Sequence, residues 1–597
     1  MTTTESFTRR VLDSAEKKGD AEAFVFLQDD GAALTPERLS YTGLDAHAKD
    51  LASWLQDRGL RGRQVLLLYP SGLSFVSAFV GCLYAGAVAV PGPLPSDRDR
   101  HFARLSRIVG DARVGAVLTT AEHAPAVQAW LTAAGLSDVV CLATDSGPVG
   151  DASSWRDPGT DVDDLAFLQY TSGSTSEPKG VMVSHGNLMA NEAAIQRALG
   201  STQDSCLGSW LPMYHDMGLI GHVLHPLWLG GRAALMAPES FLRRPVQWLR
   251  MIGDHGVTHG GGPNFAYDMC VRRVRDAELA GLDLSGWQQA CNGAEPIRAE
   301  TVAAFTERFA PVGFRPETFF PCYGMAETTL LVSGTPLGRE PVRCTVDTAA
   351  LEDGRLTEPA DERTGRTLVS SGVVRAEDFD VRIVHPLSRR VMGEHRVGEI
   401  WVRGPSVSRG YWERPVETEE TFQARTAEEE AAGEGGEGHW LRTGDLGALG
   451  DGQLYVTGRL KEMVLVNGRN IYPHDVEAAV RKIDPALGTG AAFAVAPPGD
   501  GRDRLVVVLE LRGRTEDLDH QGLVERVQAA IRDEFEVPAG NVLLVSPGTV
   551  RRTTSGKIQR MLMRKLFLAG SLDPVRSVVE PSVAALTGRE AELQPVS

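Results

Sequence analysis

The stretch from Tyr170 to His185, YTSGSTSEPKGVMVSH, has the composition of a loop that binds an anion. Its glycines let the backbone approach a phosphate closely, successive N–H groups and hydroxyls can donate to the phosphate oxygens, and Lys179 supplies positive charge. A Walker A loop has a glycine directly before the lysine and a helix after it, whereas this stretch leads into the strand-like run GVMVSH. We therefore predict a phosphate loop of another kind, with a flexible Gly/Ser turn as the alternative.

Three more short motifs carry groups that a nucleotide site requires. In FPCYGMAETTL, Tyr323 can stack on a base and Glu327 can ligate Mg²⁺, which prefers hard oxygen ligands. In LRTGDLG, Asp445 lies in a predicted Gly-flanked turn, where its carboxylate can accept from both hydroxyls of a ribose. In RRTTSGKIQR, Lys557 follows a Ser-Gly turn, precedes a predicted helix and can stabilise charge on a phosphate. Taken singly, such motifs are more often a core aromatic, a surface glutamate, an Asx turn and a solvated lysine.

Length and charge limit the classes of protein. A chain of 597 residues exceeds one hydrophobic core, so at least two domains are expected. The net charge of −17 argues against nucleic acid or an anionic membrane as the main partner, so any anionic substrate must be bound by a local basic site. His215, His222 and His225 lie close together in the chain but lack the spacing of a metal site.

The cysteines and the apolar segments predict a cytoplasmic protein. The seven cysteines are scattered without a C-x-x-C pair, which is typical of reduced thiols. The N-terminal segment lacks the apolar core of a signal peptide. Residues 64–96 carry no charge, but prolines and glycines divide them into strand, helix and strand, as in a buried parallel sheet rather than a transmembrane segment.

The pattern of apolar runs and turn residues changes twice along the chain. Apolar strand-like runs alternate with amphipathic stretches up to about residue 335, which predicts a doubly wound α/β region. Short strands and turns from about residue 366 predict a smaller β subdomain, and a separate α+β domain is expected after a junction at 458–462. In that domain we predict a turn at Asn467-Gly468, helices over PHDVEAAVRKI and near 521–534, and strands over RLVVVLEL and NVLLV. Two polar segments, 335–367 and 416–438, look inserted, and the acidic second one is expected to be a mobile, solvated loop.

The order and spacing of the four motifs jointly resemble the adenylate-forming enzymes, which include acyl-CoA synthetases, nonribosomal adenylation domains and luciferases. The resemblance covers nearly the whole chain. It implies the α/β fold of that superfamily: a large N-terminal domain, 1–458, of doubly wound sheets plus a β subdomain, a hinge at 459–462, and a small mobile α+β lid domain, 463–597.

Within the superfamily the chain looks most like the fatty acyl-AMP ligases. The segments that carry this likeness are FVGCLYAGAVAVPGPLP, SWLPMYHDMGLIG, GGGPNFAYDMC and CYGMAETTLLVSG. The insertion near 335–367 belongs to the same likeness, and its implied role is to disfavour the arrangement that would admit free CoA. Ala326 stands where the wider superfamily has threonine, a replacement that the ligase branch tolerates.

The resemblance assigns roles to particular residues. It implies Lys557, Glu327 and His215 as catalytic residues, with Glu327 also the Mg²⁺ ligand and Lys461 the hinge residue. The residues implied to bind the nucleotide are Thr171, Ser172, Gly173, Ser174, Thr175, Lys179, Asn292, Gly293, Ala294, Glu295, Tyr323, Gly324, Met325, Ala326, Asp445 and Arg459. The residues implied to line the acyl pocket are Tyr214, Met217, Gly262 and Phe265.

The implied reaction uses ATP and Mg²⁺ to convert a fatty acid to fatty acyl-AMP with release of pyrophosphate. The acyl group then passes to the phosphopantetheine thiol of an acyl carrier protein, for lipid, polyketide or lipopeptide biosynthesis, and the enzyme is expected to be a monomer. A fatty acyl-CoA synthetase is the main alternative. An amino-acid adenylation domain is disfavoured because the position of its amine-binding aspartate corresponds to Tyr214-His215 here, and a nucleotide-binding regulator because Lys557, Glu327 and Asp445 are all present.

Overall fold

The computed structural model describes residues 5–31, 34–95, 99–171, 178–361, 364–433, 439–466, 469–497, 503–513, 518–553 and 556–587, with the backbone alone for 99–104. The strands are, in chain order, β1 Glu22–Asp29, β2 Leu34–Ser40, β3 Gln64–Tyr69, β4 Val88–Pro93, β5 Ala116–Thr119, β6 Val140–Ala143, β7 Leu165–Thr171, β8 Lys179–Ser184, β9 Cys206–Ser209, β10 Arg232–Met236, β11 His259–Gly262, β12 Gln289–Asn292, β13 Phe319–Gly324, β14 Leu331–Gly334, β15 Arg343–Asp347, β16 Gly365–Val369, β17 Val373–Val374, β18 Asp380–Val384, β19 Gly398–Arg403, β20 Leu441–Gly450, β21 Gln453–Arg459, β22 Val464–Val466, β23 Arg469–Ile471, β24 Leu487–Val495, β25 Arg504–Leu511, β26 Asn541–Val545 and β27 Pro574–Val578.

The α-helices connect and cover these strands. They are α1 Phe7–Lys18, α2 Tyr41–Asp57, α3 Leu73–Ala85, α4 Asp99–Ala112, α5 Ala124–Ala133, α6 His185–Leu199, α7 Asp216–Leu219, α8 His225–Leu229, α9 Pro238–Arg243, α10 Val246–Asp254, α11 Asn264–Arg273, α12 Ala299–Phe309, α13 Thr348–Glu352, α14 Pro415–Phe422, α15 Ala427–Ala431, α16 Pro473–Arg481, α17 His520–Phe535, α18 Arg560–Leu568 and α19 Pro581–Ala584. A π-helical segment, Ile220–Leu224, joins α7 to α8.

Two large sheets form the α/β part of the molecule. One has the order β6-β5-β3-β4-β7-β8 and is parallel except for β8 at one edge. The other has the order β17-β14-β13-β12-β11-β9-β10-β1-β2 and is parallel in the middle, with antiparallel strands at both edges. β3, QVLLLY, is buried along its whole length, as in a parallel strand covered on both faces. The predicted strand, helix and strand over residues 64–96 are confirmed as β3, α3 and β4.

The later part of the chain forms smaller sheets. β18 to β21 make an antiparallel sheet, β22 and β23 a ribbon, and β24 to β27 a mixed sheet. The predicted strands RLVVVLEL and NVLLV are confirmed as β25 and β26, and the predicted helices as α16 and α17. The predicted turn at Asn467-Gly468 lies outside the described residues, but β22 and β23 on either side of it pair antiparallel.

Two local predictions are wrong. Asp445 lies not in a turn but within the ten-residue strand β20, because β19 and β21 pair along both edges of the motif. The acidic segment 416–438 contains α14 and α15 rather than only a solvated loop. Thr426 caps α15 through a capping box with Glu429, and Glu429 accepts a hydrogen bond from Trp440 Nε1 at 3.0 Å, so acidic residues here stabilise a helix start.

The seven cysteines, all in described positions, are free thiols, as predicted. Over the same described ranges, no helix is long and apolar enough to cross a membrane.

Candidate active site

One cavity of about 1940 Å³ collects most of the residues that the motifs single out. It lies where strands of the α/β sheets end, the usual position of ligand sites in such folds. The predicted residues that line it are Thr171, Lys179, Tyr214, His215, Met217, Phe265, Gly293, Ala294, Glu295, Tyr323, Gly324, Met325, Ala326, Glu327, Asp445, Arg459, Lys461 and Lys557. Motifs almost four hundred residues apart in the chain therefore line one cavity.

The base of the candidate phosphate loop is a hairpin. Thr171, the last residue of β7, and Lys179, the first of β8, are partners across the antiparallel pair. Ser172, Gly173, Ser174 and Thr175 lie outside the described residues. The Lys179 Nζ is 4.8 Å from the centre of the Tyr411 ring, a cation–π contact that holds the ammonium at the cavity wall.

Tyr411 also holds Glu327. Its hydroxyl donates to Glu327 Oε1 at 2.9 Å, and burial raises the pKa of the Glu327 carboxyl. The loop around Glu327 is fixed from α6, because the Asn191 amide donates to Leu331 O at 2.9 Å and accepts from Leu331 N at 3.0 Å. Gly324 is required here, since a Cβ would lie 1.7 Å from Leu330 O. The result is a preorganised carboxylate facing the cavity.

Asp445 is engaged through both carboxylate oxygens. β20 and β21 pair with Asp445 opposite Arg459, and Arg459 Nε donates to Asp445 Oδ1 at 2.9 Å. The Tyr323 hydroxyl donates to Asp445 Oδ2 at 2.9 Å. The Asp445 charge raises the pKa of the Arg459 guanidinium, and burial raises that of the Tyr323 hydroxyl. Strand register thus brings the three residues together.

Lys557 reaches the cavity from the turn before α18. Its backbone N–H donates to Thr553 Oγ1 at 3.0 Å and its carbonyl accepts from Thr553 N at 2.7 Å, so Thr553 holds the Lys557 backbone in place. Burial and the Arg459 charge lower the pKa of the Lys557 ammonium, against the opposing effect of Asp216, Asp445 and Glu295. No salt bridge within 4 Å holds the Lys557 Nζ in the part of the chain that the structure describes, so the ammonium remains available to a ligand.

His215 and Asp216 form a pair beside this lysine. His215 Nδ1 lies 2.6 Å from Asp216 Oδ1. Burial alone would raise the pKa of Asp216, but His215 and Lys557 together lower it to about 2. An ionised carboxylate therefore faces the Lys557 ammonium in the absence of substrate.

Some of the residues predicted for the adenine strip and the acyl pocket line the cavity and others do not. Gly293, Ala294 and Glu295 line the cavity, whereas Asn292, at the end of β12, is fully buried and does not. Glu295 accepts from Phe265 N at 2.5 Å. Gly262 also does not line the cavity, because it packs against Trp210, whose ring carbon would lie 2.8 Å from an added Cβ.

Three candidate functional residues were not predicted from the sequence: Asp216, Tyr411 and Arg560. Arg560 Nη1 contacts Glu462 Oε2 at 2.6 Å, and its Nε contacts Glu477 Oε1 at 2.7 Å. The pair Tyr411–Glu327 joins residues 84 positions apart, so no local pattern identifies it. Asp216 has a local signal, because it is a charged residue directly after His215, the predicted catalytic histidine.

Comparisons with known proteins agree with this geometry. Residues 11–412 match the family model of the AMP-binding enzymes. The medium-chain-fatty-acid acyl-carrier-protein ligase JamA of Moorena producens is 41% identical over 562 residues, which cover 92% of this chain and 93% of JamA. The long-chain-fatty-acid AMP ligase FadD32 of Mycolicibacterium smegmatis is 38% identical over 594 residues, covering 94% and 93%.

A solved structure extends the likeness to three dimensions. The fatty acyl-adenylate ligase from Legionella pneumophila, in complex with acyl adenylate and pyrophosphate, is 36% identical, has a TM-score of 0.73 and covers 96% of this chain and 97% of its own. The fold is thus that of the adenylate-forming enzymes, as predicted. The chain belongs to the fatty acyl-AMP ligases within the AMP-binding enzymes.

Proposed function

We propose that this enzyme joins a fatty acid to AMP, using ATP and releasing pyrophosphate, and then transfers the acyl group to the phosphopantetheine thiol of an acyl carrier protein. The observation that carries the proposal is the position of Lys557 in one cavity with Glu327, Asp445 and Lys179. Such a cavity can hold a nucleotide and a second anion together. The names of JamA and FadD32 support the choice of a fatty acid, and that of JamA supports a carrier protein as acceptor.

The first step requires two anions to meet. An oxygen of the fatty carboxylate attacks the α-phosphorus of ATP, the bond to the bridging oxygen breaks, and pyrophosphate leaves. In our proposal the Lys557 ammonium bridges the carboxylate and the α-phosphate, while Lys179 and the 171–175 loop bind the leaving pyrophosphate. Preorganised positive charge of this kind is a large part of catalysis between anions.

The remaining predicted residues orient the nucleotide in this proposal. Asp445 binds the ribose hydroxyls, with Arg459 and Tyr323 holding its two oxygens, and the 293–295 strip lies along the adenine. His215 and Asp216 lie at the carboxylate end of the acyl site in this proposal, where the charge of Asp216 acts on the Lys557 ammonium without a direct salt bridge.

The residues present fit Mg²⁺ at Glu327. Glu327 Oε1 accepts one hydrogen bond from Tyr411, which leaves its second oxygen for a hard cation. Among the described residues, no group of three or more His, Cys, Asp and Glu is arranged around a metal, so phosphate oxygens and water would complete the coordination. When bound, the ion would neutralise charge on the phosphates.

Substitution Tyr411→Phe tests how Glu327 is held. It keeps the ring beside Lys179 but removes the donor to Glu327, so we expect adenylation to slow by about tenfold and the half-saturating Mg²⁺ concentration to rise. Pyrophosphate release, measured across a Mg²⁺ titration, checks both. Tyr455→Phe removes a buried hydroxyl away from the cavity and serves as the matched control. An unchanged Mg²⁺ requirement would contradict this role of Tyr411.

The second step needs a thiol at the acyl carbonyl, where Lys557 lies in the first step. We therefore propose that residues 463–597 form a lid domain that rotates about the hinge 459–462, near Lys461. Arg560 supports this assignment, because it joins the lysine-bearing segment to Glu462 in the hinge and to Glu477 on α16. Breaking the first of these contacts would accompany the rotation.

The insertion contacts the proposed lid. Arg469 Nε contacts Glu352 Oε2 on α13 at 2.6 Å, and Asn470 Nδ2 donates to Glu352 O at 2.9 Å. Arg366 contacts Asp475 and donates to His474 Nε2. These contacts support the proposal that the insertion favours the arrangement for adenylation and disfavours the one that would admit free CoA.

Substitution Arg469→Ala tests the insertion. We expect acyl-CoA formation from ATP, fatty acid and CoA to rise by about tenfold over background, because a charged contact that opposes lid rotation is lost. Thioester formation is followed by mass spectrometry. Arg355→Ala, which removes an exposed pair with Asp353 in the same insertion, is the control. If Arg469→Ala leaves acyl-CoA at background, this explanation of CoA exclusion is wrong.

The acceptor distinguishes this function from a fatty acyl-CoA synthetase. The enzyme is incubated with ATP and a fatty acid, and with either free CoA or a phosphopantetheinylated carrier protein. We expect acyl-AMP in both mixtures and thioester only on the carrier. Rapid acyl-CoA formation by the unmodified enzyme would contradict the ligase assignment. The free thiols support a reducing compartment such as the cytoplasm as the site of action.

A further inference from the structure

His222 is an unexpected polar residue on the wall of the cavity. It lies on the π-helical segment Ile220–Leu224, directly after the α7 helix that begins at Asp216. A π-helical turn inside a helical stretch often marks a functional position, because it turns one residue out of the regular helical pattern. Here that segment places an imidazole against the cavity.

The protonation of this imidazole follows from its contacts. His222 Nδ1 is 2.9 Å from Met217 O, and a carbonyl oxygen only accepts, so Nδ1 carries the proton. Burial lowers the pKa of His222 to about 4, which keeps the ring neutral at physiological pH. Nε2 is therefore a hydrogen-bond acceptor. It has no partner within the described part of the chain, yet it is not sealed from the cavity.

Two neighbouring histidines show what a purely structural imidazole looks like in this fold. His225 is bonded through both nitrogens, Nδ1 to Glu192 at 2.6 Å and Nε2 to Ser201 at 2.7 Å. His259 likewise contacts Thr258 and Leu199 O. Neither lines the cavity, whereas His222 does and keeps one nitrogen unbonded.

Apolar residues line the same cavity as His222. They include Gly221, which directly precedes His222, and Leu330, whose side chain would lie 3.5 Å from a Cβ on Gly221, together with Ile195, Leu199, Phe320 and Leu331. An acceptor left unbonded in such a setting is unfavourable, and a plain alkyl chain offers it no hydrogen. A ligand hydroxyl would.

We propose that His222 selects acyl chains that carry a hydroxyl group, with Nε2 accepting the hydrogen bond from that hydroxyl. The inference rests on the proposed function and refines its substrate class to hydroxylated fatty acids. The His222 backbone lies roughly 9 Å beyond that of Asp216 along a helical path at about 1.5 Å per residue, but its imidazole reaches back to Met217 O. The proposal therefore concerns a hydroxyl on the acyl chain, and a series of substrates identifies the carbon that carries it.

The test compares matched substrates in matched variants. Values of kcat/KM for pyrophosphate release are measured with decanoic acid and with a series of hydroxydecanoic acids that carry the hydroxyl at each successive carbon of the chain. We expect the unmodified enzyme to prefer at least one of these hydroxy acids to decanoic acid by about tenfold, the value of one hydrogen bond. Substitution His222→Phe, which keeps an aromatic ring without the acceptor, should abolish the preference while decanoic acid is still used.

A second variant keeps the test decisive if His222→Phe folds poorly. His222→Gln offers an amide oxygen as acceptor and should keep part of the preference. Equal kcat/KM values for all the acids in the unmodified enzyme, or an undiminished preference in His222→Phe, would overturn the inference while leaving fatty acid activation intact. If no fatty acid, hydroxylated or not, supported pyrophosphate release, the proposed function itself would fail.

Discussion

Substitution Lys557→Ala is expected to lower fatty-acid-dependent pyrophosphate release by about 10²- to 10³-fold, the usual cost of removing one preorganised charge at a reacting centre. The ammonium is influenced by the charges of Asp216, Asp445 and Glu295, and the hydrogen bonds that the described structure shows for Lys557 are made by its backbone. Loss of the side chain should therefore disturb the fold little. ATP binding, measured by calorimetry, should be largely retained, so the loss falls on kcat.

The control for this variant is Lys482→Ala. Lys482 lies at the end of α16 and pairs with Glu300 at 3.8 Å, with about three-quarters of each side chain exposed, so the pair contributes little. Its removal should leave pyrophosphate release within about twofold of the original. Unchanged release in Lys557→Ala would remove Lys557 from the mechanism.

Substitution Asp445→Ala should weaken ATP binding more than it lowers kcat, which is the opposite of the result expected for Lys557→Ala. It removes the carboxylate proposed to bind both ribose hydroxyls and leaves Arg459 and Tyr323 without their partner. We expect ATP to bind about 10²-fold more weakly, because two charge-assisted hydrogen bonds are lost together. The rate at saturating ATP should fall less than in Lys557→Ala. Isothermal titration of ATP and the dependence of pyrophosphate release on ATP concentration separate the two variants.

A control for Asp445 is available on the same hairpin. Asp451 lies in the exposed turn between β20 and β21 with φ of 52°, a conformation that asparagine adopts readily, so Asp451→Asn keeps the turn and removes a charge. ATP affinity should not change. Normal ATP affinity in Asp445→Ala would show that the ribose binds elsewhere.

Much of the fold could be predicted from the sequence because its signals are local. In the uncharged run 64–96, Pro70 and Gly72 lie between β3 and α3, and Gly86 lies between α3 and β4. In the C-terminal part, the apolar runs of β25 and β26 coincide with the predicted strands. The four motifs could be assigned to one site through their resemblance to a family, and the shared cavity agrees with that assignment.

What could not be predicted depends on long-range pairing. The TGD motif resembles a turn in sequence, yet β19 and β21 extend it as a strand and place Asp445 opposite Arg459. Two further sets of contacts join residues that no sequence periodicity relates. Tyr411 donates to Glu327, and Arg560 contacts Glu462 and Glu477. Asn292 and Gly262 match the expected motifs but lie behind the cavity wall, because burial of a side chain is decided by the packing of neighbouring strands.

The most direct test of the central claim follows the oxygen that forms the new bond. A fatty acid labelled with oxygen-18 in its carboxylate is incubated with the enzyme, ATP and a phosphopantetheinylated carrier protein, and the products are analysed by mass spectrometry. Attack of the carboxylate on the α-phosphorus predicts AMP that carries one labelled oxygen, unlabelled pyrophosphate, and an acyl thioester that keeps the other label. Label in inorganic phosphate with formation of ADP, or unlabelled AMP, would contradict the account.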